Sequence, residues 1–115
     1  IHGGCEIPDP NSGEWVRSGA DWLACGWALL NGIRVAKISG KTFFREYGKV
    51  GGRIRNTAMA FYAMGLARGL NLDLTKSITC VGFKGGTGTA HMCQVAQQYD
   101  FNVIRTWENS QLRFE

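Results

Sequence analysis

Residues 53–70 constrain the fold most, because they carry the clearest periodicity in the chain. Their apolar and small side chains recur at the spacing of one helix face: Ile54, Ala58, Phe61, Tyr62, Gly65, Leu66 and Gly69. This spacing predicts a helix that buries the stripe in the core. Because Gly65 and Gly69 are four residues apart, we expect the same face to let another backbone approach closely. The segment therefore predicts a long helix with a partner packed against it.

Two shorter helices are predicted before this segment. From Ser18 or Asp21 onward, apolar residues recur at i, i+3, i+4 and i+7, which indicates a helix buried over a wide face. Residues 41–49 predict a second, short helix. Between the two, residues 33–38 could instead form a short strand, although their alternation is imperfect.

The last third of the chain predicts a strand, a helix and a second strand. Residues 77–83 are rich in β-branched side chains and indicate the first strand. Thr87 or Thr89 can cap the helix that runs to about Tyr99, and residues 103–107 indicate the second strand. This order is typical of a βαβ or split unit. We therefore predict an α+β fold, in which a helical first two-thirds, with two to three helices, packs with a small sheet built from this C-terminal strand–helix–strand segment.

The length of the chain, 115 residues, is that of one domain, which excludes a multidomain protein. With 44% hydrophobic residues the chain can bury a core, which excludes a disordered tail. We expect residues 1–115 to form a single compact domain. At its start we predict a loop arm over residues 1–13, because Pro8, Pro10 and Gly13 belong to a turn-forming cluster.

Four cysteines in a short chain indicate two disulfides: Cys5, Cys25, Cys80 and Cys93. Three pairings are open, because the sequence does not fix the connectivity. No Cys-x-x-Cys pair is present and the histidines are not placed to complete a zinc site, so we expect no metal centre. The cysteine count and the start at Ile1 favour a secreted or periplasmic protein with a disulfide-stabilised fold. The alternative is a cytosolic protein with four buried thiols.

The positive charge of the chain is concentrated in one segment. The net charge of the chain is +4 at pH 7. Residues 34–55 contain Glu46 as their one acid and seven cations: Arg34, Lys37, Lys41, Arg45, Lys49, Arg53 and Arg55. Such a segment favours an anionic partner, namely an acidic protein surface, a cell-wall polymer or a membrane surface. Nucleic acid is a less favoured partner, because no other feature supports it. The alternative is a solvated polar face without a partner.

Three of these cations recur every fourth residue and share one side of the predicted helix over 41–49: Lys41, Arg45 and Lys49. We expect Phe43, Phe44 and Tyr47 to face the core from the other side. No run of apolar residues is long enough to span a bilayer, so no transmembrane segment is predicted.

A glycine-rich loop, Gly85-Gly86-Thr87-Gly88, lies between the predicted strand and helix of the last third. Backbone amides at a helix start favour anions. With Glu108 after the next strand, the loop resembles part of a dinucleotide-binding fingerprint. His91 stands where that fingerprint has its third glycine. We therefore interpret the loop as a structural turn and expect no cofactor.

Cys25 is the candidate nucleophile of the chain. The run Cys25-Gly26-Trp27-Ala28-Leu29-Leu30 resembles the nucleophile helix of papain-like cysteine hydrolases. The resemblance implies a thiolate at Cys25 that an imidazole activates, and His91 is the histidine that could serve, since His2 lies in the predicted arm. In that family the histidine comes from a β-rich second half, whereas His91 is predicted on a helix.

Together these observations favour a binding protein over an enzyme. The leading hypothesis is a small secreted or periplasmic basic protein that disulfides stabilise. It would be either a toxin or effector, or an immunity or inhibitor protein. Its contact residues are the seven cations between residues 34 and 55. The alternative is a cysteine-nucleophile hydrolase that uses Cys25 and His91, and a nucleic-acid-binding module is third.

Overall fold

The computed structural model describes residues 1–3, 6–8, 11–12, 15–17, 19–84 and 86–107. Their elements are, in chain order, β1 (Glu6–Pro8), β2 (Trp15–Arg17), α1 (Gly19–Leu30), α2 (Gly40–Tyr47), a short 3-10 turn (Gly48–Val50), α3 (Gly51–Gly69), α4 (Leu74–Ser77), β3 (Thr79–Gly82), α5 (Thr87–Gln98) and β4 (Asn102–Arg105). Helices dominate the first two-thirds and a small sheet lies in the last third. The predicted α+β class is confirmed.

The last third forms a βαβ unit. β3 and β4 pair in parallel, with Thr79 opposite Asn102 and Gly82 opposite Arg105. Two parallel strands need a crossover connection, which α5 supplies. The predicted strand–helix–strand order is therefore present, with each strand shorter than the sequence pattern indicates.

The core lies where α3 and α5 meet this sheet. Four apolar residues form its buried centre: Ala60, Val95, Ala96 and Phe101. Half-buried side chains surround them, among them Met64, Cys80 and Val103. The buried alanines on both helices leave little side-chain bulk between them, so α3 and α5 can approach closely.

The buried side of α3 differs from the predicted stripe. Buried residues of α3 include Asn56, Ala60 and Ala67. Most of the predicted stripe is instead exposed, and Phe61, for example, has 53% of its surface accessible to solvent. A Cβ atom placed on Gly65 would meet nothing within 4 Å. The prediction of a close backbone approach there is wrong, because α5 packs on the alanine side of the helix.

α1 also differs from its predicted packing. The helix is present, yet it buries none of its residues. Leu23 is 72% exposed and Leu30 is 89% exposed. No strand or other helix in the described part of the chain packs extensively against α1, so its apolar side chains remain at the surface.

The start of the chain pairs with two other segments. Within the predicted loop arm, β1 forms an antiparallel pair with β2 in which Glu6 lies opposite Arg17. His2 donates its backbone N–H to the Ala36 carbonyl over 3.0 Å, and its own carbonyl accepts from the Ile38 N–H over 2.9 Å. The segment over 33–38 is thus a single bridging position and not a strand.

Candidate functional site

Six of the seven predicted contact cations are exposed, and we call them the basic segment: Arg34, Lys37, Lys41, Arg45, Lys49 and Arg53. They lie on the loop before α2, on α2 itself, on the 3-10 turn and on the first turn of α3. In the described part of the chain, Arg45 and Lys49 make no ion pair with a carboxylate. The exposed Glu46 is the one acid in this stretch. The segment therefore presents a positive surface to solvent.

Apolar side chains are exposed beside these cations. Phe44 is 47% exposed, Tyr47 51% and Val50 54%. The expected core-facing stripe is wrong for Phe44 and Tyr47, because α2 and α3 meet backbone to backbone. A Cβ atom on Gly51 would overlap the Phe43 carbonyl and lie 2.7 Å from the Phe44 nitrogen. The Phe44 ring lies over two glycines instead, since its edge is 3.1 Å from the positions that a Cβ atom would take on Gly40 and on Gly52.

Arg55 differs from the other six cations, because it is half-buried and has internal partners. Its Nη1 donates to the Gly3 carbonyl, and its Nε donates to Asn56 Oδ1 over 3.0 Å. Burial lowers the pKa of Arg55, and the nearby Asp21 acts in the opposite direction. The guanidinium thereby ties the start of the chain to α3 and is not displayed with the basic segment.

Asn56 is a buried polar residue that joins α3 to α5. Its Nδ2 donates to the Gly88 carbonyl over 3.1 Å and lies 3.1 Å from His91 Nδ1. Arg55 can only donate, so it fixes Oδ1 on its own side and turns Nδ2 toward α5. His91 Nδ1 must then accept, which requires an unprotonated nitrogen at that position.

The structure does not join Cys25 to His91. Cys25 lies half-buried on α1, whereas His91 lies on α5 with Asn56 as its ring partner. No hydrogen bond links Cys25 to His91, and α1 does not pack extensively on α5. Burial lowers the pKa of His91, and the positive charge of Arg53 lowers it further. The hydrolase alternative with Cys25 and His91 gains no support from these contacts and stays a prediction.

Two of the four cysteines come together. Cys80 on β3 and Cys93 on α5 are 4.3 Å apart, while a disulfide joins its sulfur atoms at about 2.05 Å. Cys25, Cys80 and Cys93 are free thiols in the structure. Cys5 lies outside the described residues. The disulfide prediction therefore stays a prediction.

Both close cysteines line a cavity of about 630 Å³ between α3, β3 and the start of α5. Its charged lining residues include Arg55 and Lys84, and its apolar lining includes Met59 and Met92. The cavity therefore lies beside half-buried Cys80 and fully buried Cys93.

The predicted structural turn lies partly outside the described residues, which include neither Gly85 nor Glu108. Gly86 is the N-cap residue of α5 and has an extended conformation. No side-chain hydrogen bond caps the helix at this position. The Gly88 carbonyl is held by Asn56. The loop thus enters α5 next to the cavity.

Comparison with models of known protein families, with curated proteins and with solved structures finds no match to this chain. Among the described residues, no helix has both the length and the apolar character needed to cross a membrane. Over the same residues, no three metal-ligating side chains of His, Cys, Asp or Glu converge.

Sequence reasoning missed Asn56, the buried residue with the most specific contacts. The sequence signal was an asparagine within a helix of apolar and small residues. A polar side chain that is buried in such a helix needs a hydrogen-bond partner. It also missed the proximity of Cys80 and Cys93. An alternating strand followed by a crossover helix could have indicated it, since the helix covers one face of the strand.

Proposed function

We propose that this chain is an extracytoplasmic basic protein that binds an anionic lipid surface through the basic segment. The observation that supports this most is the exposure of six cations within residues 34–53, with Glu46 as the one acid among them. Anionic lipid attracts such cations by about 1 kcal/mol for each Lys or Arg that comes near the surface.

The exposed apolar residues favour a membrane over the other anionic partners. Interfacial helices combine Lys and Arg with aromatic side chains that enter the boundary between headgroups and acyl chains. On α2, Phe44 and Tyr47 are each about half exposed and lie within two turns of Lys41 and Arg45. Protein interfaces also use aromatic side chains, so an acidic protein is the alternative partner that the vesicle experiment distinguishes.

The proposed location outside the cytoplasm is supported by the cysteines. An even number of cysteines in a small chain is typical of secreted proteins, and the approach of Cys80 to Cys93 is consistent with disulfide formation. A disulfide-stabilised basic protein that binds lipid fits the toxin or effector type, and an immunity or inhibitor protein of the same charge would bind an acidic protein instead.

Charge reversal tests the lipid interface. The variant Lys41→Glu, Arg45→Glu, Lys49→Glu is compared with the unmodified chain on vesicles of phosphatidylcholine with phosphatidylglycerol and on vesicles of phosphatidylcholine alone. We expect the unmodified chain to prefer the anionic vesicles and the variant to bind them at least roughly a hundredfold more weakly, because three favourable charges become repulsive.

A matched control changes the net charge equally at exposed cations outside the segment: Arg68→Glu, Lys76→Glu and Lys84→Glu. This control should keep most of the affinity. An equal loss in both variants would mean that only total charge matters. Equal binding of the unmodified chain to neutral and anionic vesicles, or binding to an acidic protein with none to vesicles, would contradict the proposal.

A further inference from the structure

One face of β3 is directed at α5. Along the strand Thr79 and Val81 are exposed, whereas Cys80 is half-buried and Gly82 is buried. Side chains of a strand alternate between its two faces, so Cys80 and Gly82 share the covered face. Cys80 therefore points toward the helix that follows it in the βαβ unit.

Cys93 meets that face from α5. Its side chain is fully buried, with 0% of its surface exposed. A Cβ atom on Gly82 would lie 2.8 Å from Cys93 Sγ, so the sulfur occupies the space that glycine leaves open. Cys80 lies two residues before Gly82 on the same face of β3 and is 4.3 Å from Cys93.

We infer that Cys80 and Cys93 form an intramolecular disulfide that joins β3 to α5. This selects one of the three pairings that four cysteines allow. The inference rests on the proposed extracytoplasmic function for its oxidising compartment. The two residues already lie 4.3 Å apart on the surface that β3 and α5 cover between them.

The oxidant is a small disulfide such as oxidised glutathione, and half-buried Cys80 is the more exposed of the two thiols. The Cys80 thiolate attacks one glutathione sulfur, which breaks the glutathione disulfide and releases one glutathione thiolate. The Cys93 thiolate then attacks the Cys80 sulfur and releases the second. Two electrons pass from the cysteines to glutathione, and the two cysteine protons end on the two glutathione thiols.

The environment of the pair favours a permanent bond over a fast redox sensor. Burial raises the pKa of Cys80 to about 11, and the neighbouring Cys93 adds to this effect. A thiol with so raised a pKa stays protonated at pH 7, and the protonated thiol is not the nucleophile. Exchange in the folded protein is therefore slow, so the bond forms mainly during folding and then persists.

Peptide mapping tests the pairing. The full chain is refolded with reduced and oxidised glutathione, its remaining thiols are blocked with N-ethylmaleimide, and it is digested with trypsin. Cleavage after Lys76, Lys84 and Arg105 places Cys80 in peptide 77–84 and Cys93 in peptide 85–105. We expect these two peptides to appear joined, and to separate on reduction.

Two controls show that the folded geometry selects this link. Oxidation in denaturant should give a mixture of pairings, so the joined peptides should be several-fold less abundant. Cys25→Ser should retain the link, and Cys93→Ser should lose it. Cys80 joined to another peptide, maleimide on both Cys80 and Cys93, or equal yield in denaturant would overturn the inference. Vesicle binding is measured separately, so failure of the lipid proposal would leave this mapping result unchanged.

Discussion

Asn56 and His91 are joined across the packed helices α3 and α5, with 3.1 Å between Asn56 Nδ2 and His91 Nδ1. The same Asn56 amide donates to the Gly88 carbonyl and accepts from Arg55 Nε. One buried side chain thus satisfies three polar groups on two helices. Its removal would leave each of them without this partner.

Replacement of Asn56 by Ala should lower the free energy of unfolding by about 1–3 kcal/mol, because buried polar groups lose their hydrogen bonds. Denaturant unfolding measures the change. The matched control is Gln94→Ala, at an exposed position on α5. It should change stability by less than about 0.5 kcal/mol. Equal stability of the Asn56 variant and this control would show that the buried network contributes nothing.

Stability should also depend on pH through His91. Burial lowers the pKa of His91 below its usual value of 6.5, so below pH 6.5 the unfolded chain binds more protons than the folded chain. The free energy of unfolding therefore falls as the pH drops from 6.5 toward the folded pKa, and this contribution is constant above 6.5. Burial lowers the pKa of His2 as well, which adds a change of the same sign.

Unfolding at about pH 7.5 and about pH 5 measures this dependence on either side of the histidine range. In His91→Asn the amide oxygen can still accept from Asn56, but the side chain does not titrate. We expect a smaller difference between the two pH values in this variant than in the unmodified chain, with the remainder due to His2. An unchanged difference would assign the whole effect to other groups.

Two glycines of α3 should respond to alanine in opposite directions. Gly51→Ala should destabilise the chain, because the new Cβ atom would overlap the Phe43 carbonyl and force α2 from α3. Gly65→Ala should stabilise it by roughly 0.5–1 kcal/mol, because that position is helical and open. Thermal unfolding of both variants tests the contrast, and a lower midpoint for Gly65→Ala would show that this face is covered.

The proposed disulfide should contribute measurable stability. The loop from Cys80 to Cys93 contains 14 residues, and closure of a loop of about this size stabilises a protein by about 3 kcal/mol. Oxidised and reduced protein are compared by denaturant unfolding, with the Cys80→Ala, Cys93→Ala double variant as reference. This reference should be no more stable in oxidising than in reducing buffer, apart from any effect of Cys5 and Cys25.

The sequence predicted the βαβ unit well because several signals agreed there. β-branched residues in 77–83, a capped helix and a second apolar run leave few arrangements other than two strands with a crossover. Helices α1, α2 and α3 were also found close to their predicted positions. Their existence follows from local spacing, which the sequence contains.

Which side of each helix is buried was harder to predict. In α3 the largest apolar residues, such as Phe61 and Leu66, are exposed, whereas Ala60 and Ala67 are buried. A prediction from periodicity assigns the large apolar side chains to the buried face of a helix. Two closely packed helices, however, bury small side chains between them. The same reasoning failed for Phe44, whose ring lies against Gly40 and Gly52 at the surface with 47% of its area exposed.

The candidate site was predictable in composition but not in arrangement. The cations of the basic segment could be identified directly, since charged residues are seldom fully buried. The internal role of Arg55 could not, because it depends on Gly3, which is distant in sequence. The proximity of Cys80 to Cys93 depends in the same way on how α5 lies over β3.

The lack of burial along α1 has a consequence for the dynamics of the chain. A helix of 12 residues is marginal in water by itself, and tertiary packing normally supplies the missing stability. The backbone amides of α1 should therefore exchange their hydrogens for deuterium far sooner than those of α5, which buries Cys93, Val95 and Ala96. Local opening would begin at α1 while the βαβ unit stays intact.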